Sequence, residues 1–119
     1  MTLFRAIPLS IHAGLESIAG PAIMAAPFVL GFGQAATAIC VLIGVLLIGL
    51  ALQVPGPRRS IPLAFHASFD YALALFAMFG GLAVGFVTGS WEPAAFLVAI
   101  GVALVALTAS TRFSAPSGA

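Results

Sequence analysis

Four long apolar stretches make up most of the chain, and they constrain its fold more than any other feature. They cover residues 8–26, 34–52, 62–87 and 93–109 and are separated by breaks rich in Pro, Gly and Ser. About twenty consecutive apolar residues suffice to cross a bilayer as an α-helix. A chain with 62% hydrophobic and 6% charged residues also lacks the polar surface that a water-soluble globule of this size needs. We therefore predict an all-α membrane protein, a bundle of four transmembrane helices surrounded by the lipid bilayer.

Prolines indicate where these helices begin and end. Three of them suit a first helical turn, where a missing N–H costs nothing: Pro8, Pro62 and Pro93. Ser90 is a plausible cap for the fourth helix. Pro21 and Pro27 lie deeper in the first stretch, which predicts a kink near Pro21 and a helix end near Pro27.

The chain is an internal repeat. Residues 7–16 (IPLSIHAGLE) recur 54 positions later as residues 61–70 (IPLAFHASFD). The later halves, 41–47 and 98–104, also align if the second copy carries a three-residue insertion around 90–92. We predict one membrane domain, 1–119, with repeat 1 at 7–52, a linker at 53–60, repeat 2 at 61–109 and a tail at 110–119. Two-helix repeats preserve direction, so the protein should be two tandem parallel hairpins in which helices 1 and 3 pack together.

The arginines predict the orientation in the membrane. All four fall before helix 1, between helices 2 and 3, or after helix 4: Arg5, Arg58, Arg59 and Arg112. Since basic residues favour the cytoplasmic side, both termini should be cytoplasmic in an integral inner (cell) membrane protein. Phe113 is then an aromatic residue near the cytoplasmic interface.

The first residues imitate a secretory signal, with Arg5 followed by apolar sequence. However, Pro8, His12 and Glu16 interrupt the region that should be uniformly apolar. We expect the N-terminus to be retained.

In the first hairpin, residues 26–32 (APFVLGF) precede a turn and an apolar helix containing residues 43–46 (IGVL). This pattern resembles the SPW repeat of small bacterial and archaeal membrane proteins. In that family Ser-Pro-Trp stands ahead of an apolar-Leu-Gly-Phe turn; here Ala26 and Phe28 replace the Ser and the Trp, and the second copy keeps only Gly85-Phe86. The resemblance implies a hairpin of two membrane helices and no particular activity.

Both histidines of the chain stand four residues before an acid. His12 precedes Glu16, and His66 precedes Asp70. Residues i and i+4 share a helix face, and the acids lie roughly 12 Å into their helices at ~1.5 Å per residue. A charge facing lipid at that depth costs at least ~2.5 kcal/mol, so both acids should face the bundle interior. The repeat then predicts one polar cluster of two His and two carboxylates, open toward the cytoplasm.

Four interpretations of this cluster compete. The two His–acid pairs could hydrogen-bond each other and fix the pairing of the hairpins in a scaffold or accessory subunit. The four residues His12, Glu16, His66 and Asp70 could bind a divalent transition metal such as Zn or Fe(II). His12 and His66 could be the axial ligands of a b-type haem. A proton or cation path is least favoured, because the outer half of the bundle offers little polar continuation beyond Thr88 and Ser90.

Other functional classes find no support. The chain has no nucleotide-binding glycine loop after a strand and no nucleophile elbow, so we expect a non-enzymatic protein. It has no basic face for nucleic acid. Cys40 is the only cysteine and is most simply a small core residue. The expected protein partners are a larger membrane complex or further copies of the chain.

Overall fold

The computed structural model describes residues 6–53 and 63–113. Within them the chain forms four helices: α1 (Leu9–Leu30), α2 (Gln34–Gln53), α3 (Leu63–Thr88) and α4 (Trp91–Ala109). Each is long and apolar enough to cross a membrane. This confirms the prediction of an all-α chain with four helices of that kind. Arg5, Arg58 and Arg59, the linker after Gln53 and the tail beyond Phe113 lie outside the described residues.

The end of α1 differs from the prediction. Pro21 and Pro27 both lie inside the helix, which continues to Leu30, so the predicted end near Pro27 was wrong. A proline removes one N–H from the helix ladder, but the residues after it can still donate. The helix stops at Gly31, which takes the left-handed conformation (φ 73°) and donates its N–H to the carbonyl of Pro27. A glycine, rather than the proline, sets this boundary.

The turn into α4 also departs from the expected capping. Gly89 has φ 74°, and Ser90 occupies the position before the helix as predicted. The Ser90 hydroxyl makes no capping hydrogen bond, which corrects that part of the prediction. Instead the Ser90 backbone N–H donates to Thr88 Oγ1 at 3.2 Å. The turn is therefore stabilised by the end of α3.

Helices α1 and α2 approach closely through glycines. A Cβ added to Gly44 would collide with the Gly20 carbonyl oxygen and the Met24 side chain. A Cβ on Gly20 would meet the Gly44 carbonyl and Ile48. Small residues let membrane helices pack at short range, because van der Waals contact replaces the hydrophobic effect there.

Helices α3 and α4 pack in the same manner. A Cβ on Gly101 would collide with the Ala74 carbonyl oxygen and the Met78 side chain. On the same helix pair, Gly81 lies against Leu97 and the Ala94 carbonyl. The closest helix contacts in the bundle are therefore α1 with α2 and α3 with α4.

Helices α1 and α3 do not pack backbone to backbone. Along their described lengths, no Cα atom of α1 lies within 8 Å of a Cα atom of α3, whereas α2 approaches α3 directly. This corrects the expectation of close α1–α3 packing. The two helices meet through side chains instead, since His12 Nε2 lies 2.9 Å from Asp70 Oδ2 and His66 Nε2 lies 3.3 Å from Glu16 Oε1.

Each end of the bundle brings distant segments together. At one end residues 30–33 and 90–93 border a cavity of about 370 Å³, and the rings of Phe32 and Phe96 lie 5.5 Å apart. At the other end Ile7 and Thr111 form a parallel β-bridge. The Ile7 N–H donates to the Ser110 carbonyl and the Arg112 N–H donates to the Ile7 carbonyl, both at 3.0 Å. The segment after α4 is thus fixed beside the start of α1.

Candidate metal centre

Four polar side chains converge between α1 and α3. His12 and Glu16 lie one turn apart on α1, and His66 and Asp70 lie one turn apart on α3. Each histidine is the fourth residue of its helix. All four residues are at most 1% exposed, which confirms that the acids face the bundle interior. The prediction of one polar cluster is also confirmed by their mutual distances.

Both imidazole Nε2 atoms point at the same two carboxylates. His12 Nε2 lies 2.9 Å from Asp70 Oδ2 and 3.1 Å from Glu16 Oε2. His66 Nε2 lies 3.3 Å from Glu16 Oε1 and 3.3 Å from Asp70 Oδ2. One ligand atom from each residue can be chosen so that all lie within 4.8 Å of one another. The four groups therefore surround one point.

The hydrogen bonds run between the helices rather than along them. His12 bonds with Asp70, and His66 bonds with Glu16. Within each helix, the histidine and the acid one turn later also lie close, at 3.1 Å for His12–Glu16 and 3.3 Å for His66–Asp70. These two pairs are not aligned for a hydrogen bond. This crossed pairing joins α1 to α3 directly.

Thr111 adds a further contact to His12. Its Oγ1 lies 2.7 Å from His12 Nδ1, and its hydroxyl donates to the Leu107 carbonyl at 2.6 Å. A hydroxyl has one hydrogen to donate, so Thr111 Oγ1 must accept the bond from His12. His12 Nδ1 therefore carries a proton, and the Nε2 atom faces the carboxylates.

Phe113 covers the cluster at the end that carries Arg112. Its ring centroid lies 5.1 Å from that of His12 and 5.7 Å from that of His66. The two imidazoles are themselves 5.7 Å apart in an edge-to-face arrangement. The predicted opening at this end is therefore closed by the segment after α4.

Two carboxylate oxygens are buried without a hydrogen bond. These are Glu16 Oε2 and Asp70 Oδ1, within the part of the chain that the structure describes. Glu16 Oε2 is near His12 Nε2, but the two are not aligned for a hydrogen bond. Buried oxygens of this kind are rare in native proteins, because leaving them unpaired costs free energy. Carboxylate oxygens without a hydrogen bond have the chemistry to bind a cation.

Sequence reasoning identified the four central residues but missed Thr111 and Phe113 as parts of the site. Thr108 and Thr111 share a face at the end of an apolar helix, which is the one signal that could have suggested a polar contact there. The bridge between Ile7 and Thr111 has no such signal, because it depends on how the ends of the bundle meet.

Comparison of the chain with models of protein families, with curated proteins and with solved structures finds no match.

Proposed function

We propose that this small integral membrane protein binds one divalent transition-metal ion through His12, Glu16, His66 and Asp70. The observation that carries the proposal is the convergence of two Nε2 atoms on two buried carboxylates that retain oxygens without a hydrogen bond. Imidazole and carboxylate together suit Zn²⁺ or Fe²⁺.

The spacing of the polar atoms is close to that of a tetrahedral site. With Zn–N and Zn–O bonds near 2.0–2.1 Å, neighbouring ligand atoms of a tetrahedron lie about 3.3 Å apart. Each Nε2 atom lies 2.9–3.3 Å from an oxygen of both carboxylates, and the two histidines are nearest to different oxygens of Glu16. One ligand atom from each residue lies within 4.8 Å of the other three, so the widest separations would have to shorten around an ion.

Charge supports the same assignment. Two carboxylates carry two negative charges, and a divalent ion with two neutral imidazoles makes the site neutral. Neutrality matters here because an uncompensated charge inside a membrane is costly. Two imidazolium groups would also neutralise the acids, and that is the metal-free scaffold form of the site.

A haem fits less well than a metal ion. Axial ligation by His12 and His66 requires a porphyrin between the two Nε2 atoms. Asp70 Oδ2 lies within 3.3 Å of both Nε2 atoms and occupies that space. The metal interpretation needs no rearrangement of this kind.

The proposed role of the ion is structural. A site with four protein ligands and no open position is typical of structural rather than catalytic zinc. Here it would join α1 to α3, whose backbones stay apart. We infer a non-enzymatic scaffold or accessory subunit of an integral membrane assembly.

Contacts within the bundle support the proposed tandem repeat. On α2, Gly44 lies against Gly20 and Met24 of α1. On α4, Gly101 lies against Ala74 and Met78 of α3. Gly101 follows Gly44 by 57 residues, whereas Ala74 and Met78 follow Gly20 and Met24 by 54. These offsets are those of the sequence alignment, including its three-residue insertion. The shared cavity between the two turns supports parallel hairpins. The resemblance of the first hairpin to the SPW repeat stays a prediction.

For orientation we propose cytoplasmic termini in the inner membrane, from the arginine distribution. Labelling from outside, in a Cys40→Ala background, should modify cysteines at Gly33 or Ser90 and spare one at Ser60. The reverse pattern would contradict this orientation.

The proposed function is tested by metal titration of the protein, purified in mild detergent through a tag without histidine and stripped with a chelator. Zn²⁺ should bind at one ion per chain. Single substitutions His12→Ala, His66→Ala, Glu16→Gln and Asp70→Asn should each weaken binding at least tenfold, because each removes or weakens one of four ligands.

Glu92→Gln is the matched control, since Glu92 is the remaining acid of the chain and lies exposed at the far end of the bundle. It should bind Zn²⁺ as the wild type does. Wild-type protein that binds no Zn²⁺ or Fe²⁺, or binds it equally after all four substitutions, would exclude the metal proposal and favour the scaffold form.

A further inference from the structure

The segment after α4 is built into the candidate site, and this inference rests on the proposed metal function. We propose that Thr111 is a positioning residue that holds His12 in the tautomer with a proton on Nδ1, so that Nε2 is presented to the ion. Metal-binding histidines usually donate their other ring N–H to an acceptor, which fixes ring orientation and tautomer. The Thr111 hydroxyl is that acceptor, because its own hydrogen goes to Leu107.

The backbone holds Thr111 in place. The two hydrogen bonds to Ile7 fix residues 110–112 beside the start of α1. Thr111 is 1% exposed, so water does not compete for its hydroxyl. The hydroxyl and the imidazole are therefore aligned by contacts independent of any ion.

The repeat does not duplicate Thr111. By the offset of 57 that relates the hairpin second halves, its counterpart is Val54, which has no hydroxyl. The position of Val54 lies outside the described residues. The contribution of His12 to metal affinity should depend on the Thr111 hydroxyl that contacts its Nδ1 atom.

The test compares Zn²⁺ affinity in Thr111→Val, Thr111→Ser and Thr108→Val. Loss of such an acceptor typically costs 10–100-fold in metal affinity, so Thr111→Val should weaken binding by that range. Thr111→Ser keeps the hydroxyl and should restore it. Thr108 is buried with a hydroxyl that has no partner among the described residues, so Thr108→Val is a matched control and should bind normally.

A spectroscopic measurement separates this inference from the proposed function. In ¹⁵N-labelled protein without metal, the His12 Nδ1–H resonance should shift in Thr111→Val and stay unchanged in Thr108→Val. Equal affinities in all variants, or an unchanged resonance, would overturn the role of Thr111. Absence of Zn²⁺ binding in the wild type would overturn the proposed function alone, since the resonance still tests the hydrogen bond.

A second inference comes from the outer face of α3. Seven exposed positions on this helix follow alternating spacings of four and three residues: Phe65, Phe69, Ala72, Phe76, Phe79, Ala83 and Phe86. We call this set the phenylalanine stripe. It holds five of the ten phenylalanines of the chain. The 4–3 spacing is the heptad pattern by which two helices pack around each other.

Most of the stripe is not repeated in the first copy. Of the seven positions 54 residues earlier, only Phe32, which follows the end of α1, is a phenylalanine. The other six lie on α1 and are exposed but aliphatic: Ile11, Leu15, Ile18, Ala22, Ala25 and Val29. The aromatic surface is therefore specific to α3.

We propose that the stripe packs against the stripe of a second copy in a parallel, two-fold symmetric dimer. In such a dimer each residue faces its own equivalent, so two aromatic layers alternate with one small alanine layer. The five phenylalanines are 40–77% exposed. At about 150–250 Å² for each full ring, they could bury roughly 1,000 Å² over both copies, near the lower limit of a specific interface.

Cysteine cross-linking in native membranes tests the dimer in a Cys40→Ala background. Ala72→Cys and Ala83→Cys should form disulfide-linked dimers several-fold more than Ala22→Cys, which is the matched small residue on the exposed face of α1. Adding Phe76→Ala and Phe79→Ala should reduce this cross-linking. Equal cross-linking at positions 72 and 22, or no effect of the phenylalanine changes, would overturn the proposal.

Discussion

At the scale of single residues, scarcity makes the polar groups of this chain informative. The chain has two histidines and three acids, and four of these five residues meet in one buried cluster. In a membrane, each isolated charge would be unfavourable, so side chains of opposite charge have to be paired. The crossed contacts of His12 with Asp70 and of His66 with Glu16 accomplish this pairing between helices.

Energetic coupling between His12 and Asp70 follows from that contact. Removing one partner leaves a buried group uncompensated, which should cost about 3–5 kcal/mol. The double substitution His12→Ala with Asp70→Ala should therefore destabilise metal-free protein by at least about 1 kcal/mol less than the sum of the single changes. Reversible unfolding in mixed detergent micelles measures this difference.

The control cycle pairs His12→Ala with Glu92→Gln, whose sites lie at opposite ends of the bundle. These changes should add within about 0.5 kcal/mol. Additivity in the cycle of His12 with Asp70 would contradict the contact.

The central residues could be predicted from sequence, whereas their surroundings could not. Helical periodicity puts His12 and Glu16 on one face, and the cost of charge in lipid turns that face inward. Thr111 and Phe113 reach the site only because the chain after α4 pairs with Ile7. That bridge depends on tertiary geometry, which no local pattern contains.

At the scale of the helices, glycines decide how closely the elements pack. The sequence predicted the existence of all four helices, since length and apolarity suffice for that. It mistook Pro27 for a boundary, because the left-handed geometry at Gly31 is what ends α1. Close packing was expected between α1 and α3, but the structure has its close glycine contacts between α1 and α2 and between α3 and α4.

Substitution of the contact glycines tests this packing. Gly44→Ala and Gly101→Ala should each destabilise the protein by about 1–3 kcal/mol, because the new methyl group meets a backbone carbonyl that cannot move alone. Gly49→Ala is the matched control on α2, with no atom within 4 Å of the added methyl. The free energy of unfolding of Gly49→Ala, measured in detergent, should be close to that of the wild type. Equal effects at positions 44 and 49 would contradict the close approach.

At the scale of the whole molecule, two closely packed helix pairs are connected by a polar cluster. Backbone contact joins α1 to α2 and α3 to α4, while the cluster connects α1 to α3 across a wider separation. A bound divalent ion would convert this set of side-chain contacts into one coordination centre. Because the ion would bind the folded protein, it would also raise the free energy of unfolding. The increase would grow with the logarithm of the ratio of free ion concentration to Kd.

X-ray absorption spectroscopy of Zn²⁺-loaded protein, purified without a histidine tag, tests the metal centre most directly. Binding by the four side chains predicts four nitrogen and oxygen ligands at about 2.0–2.1 Å, with outer-sphere scattering from two imidazoles and no sulfur. His66→Ala should remove one imidazole from the spectrum. An ion with six oxygen neighbours and no imidazole scattering would contradict binding by His12, Glu16, His66 and Asp70.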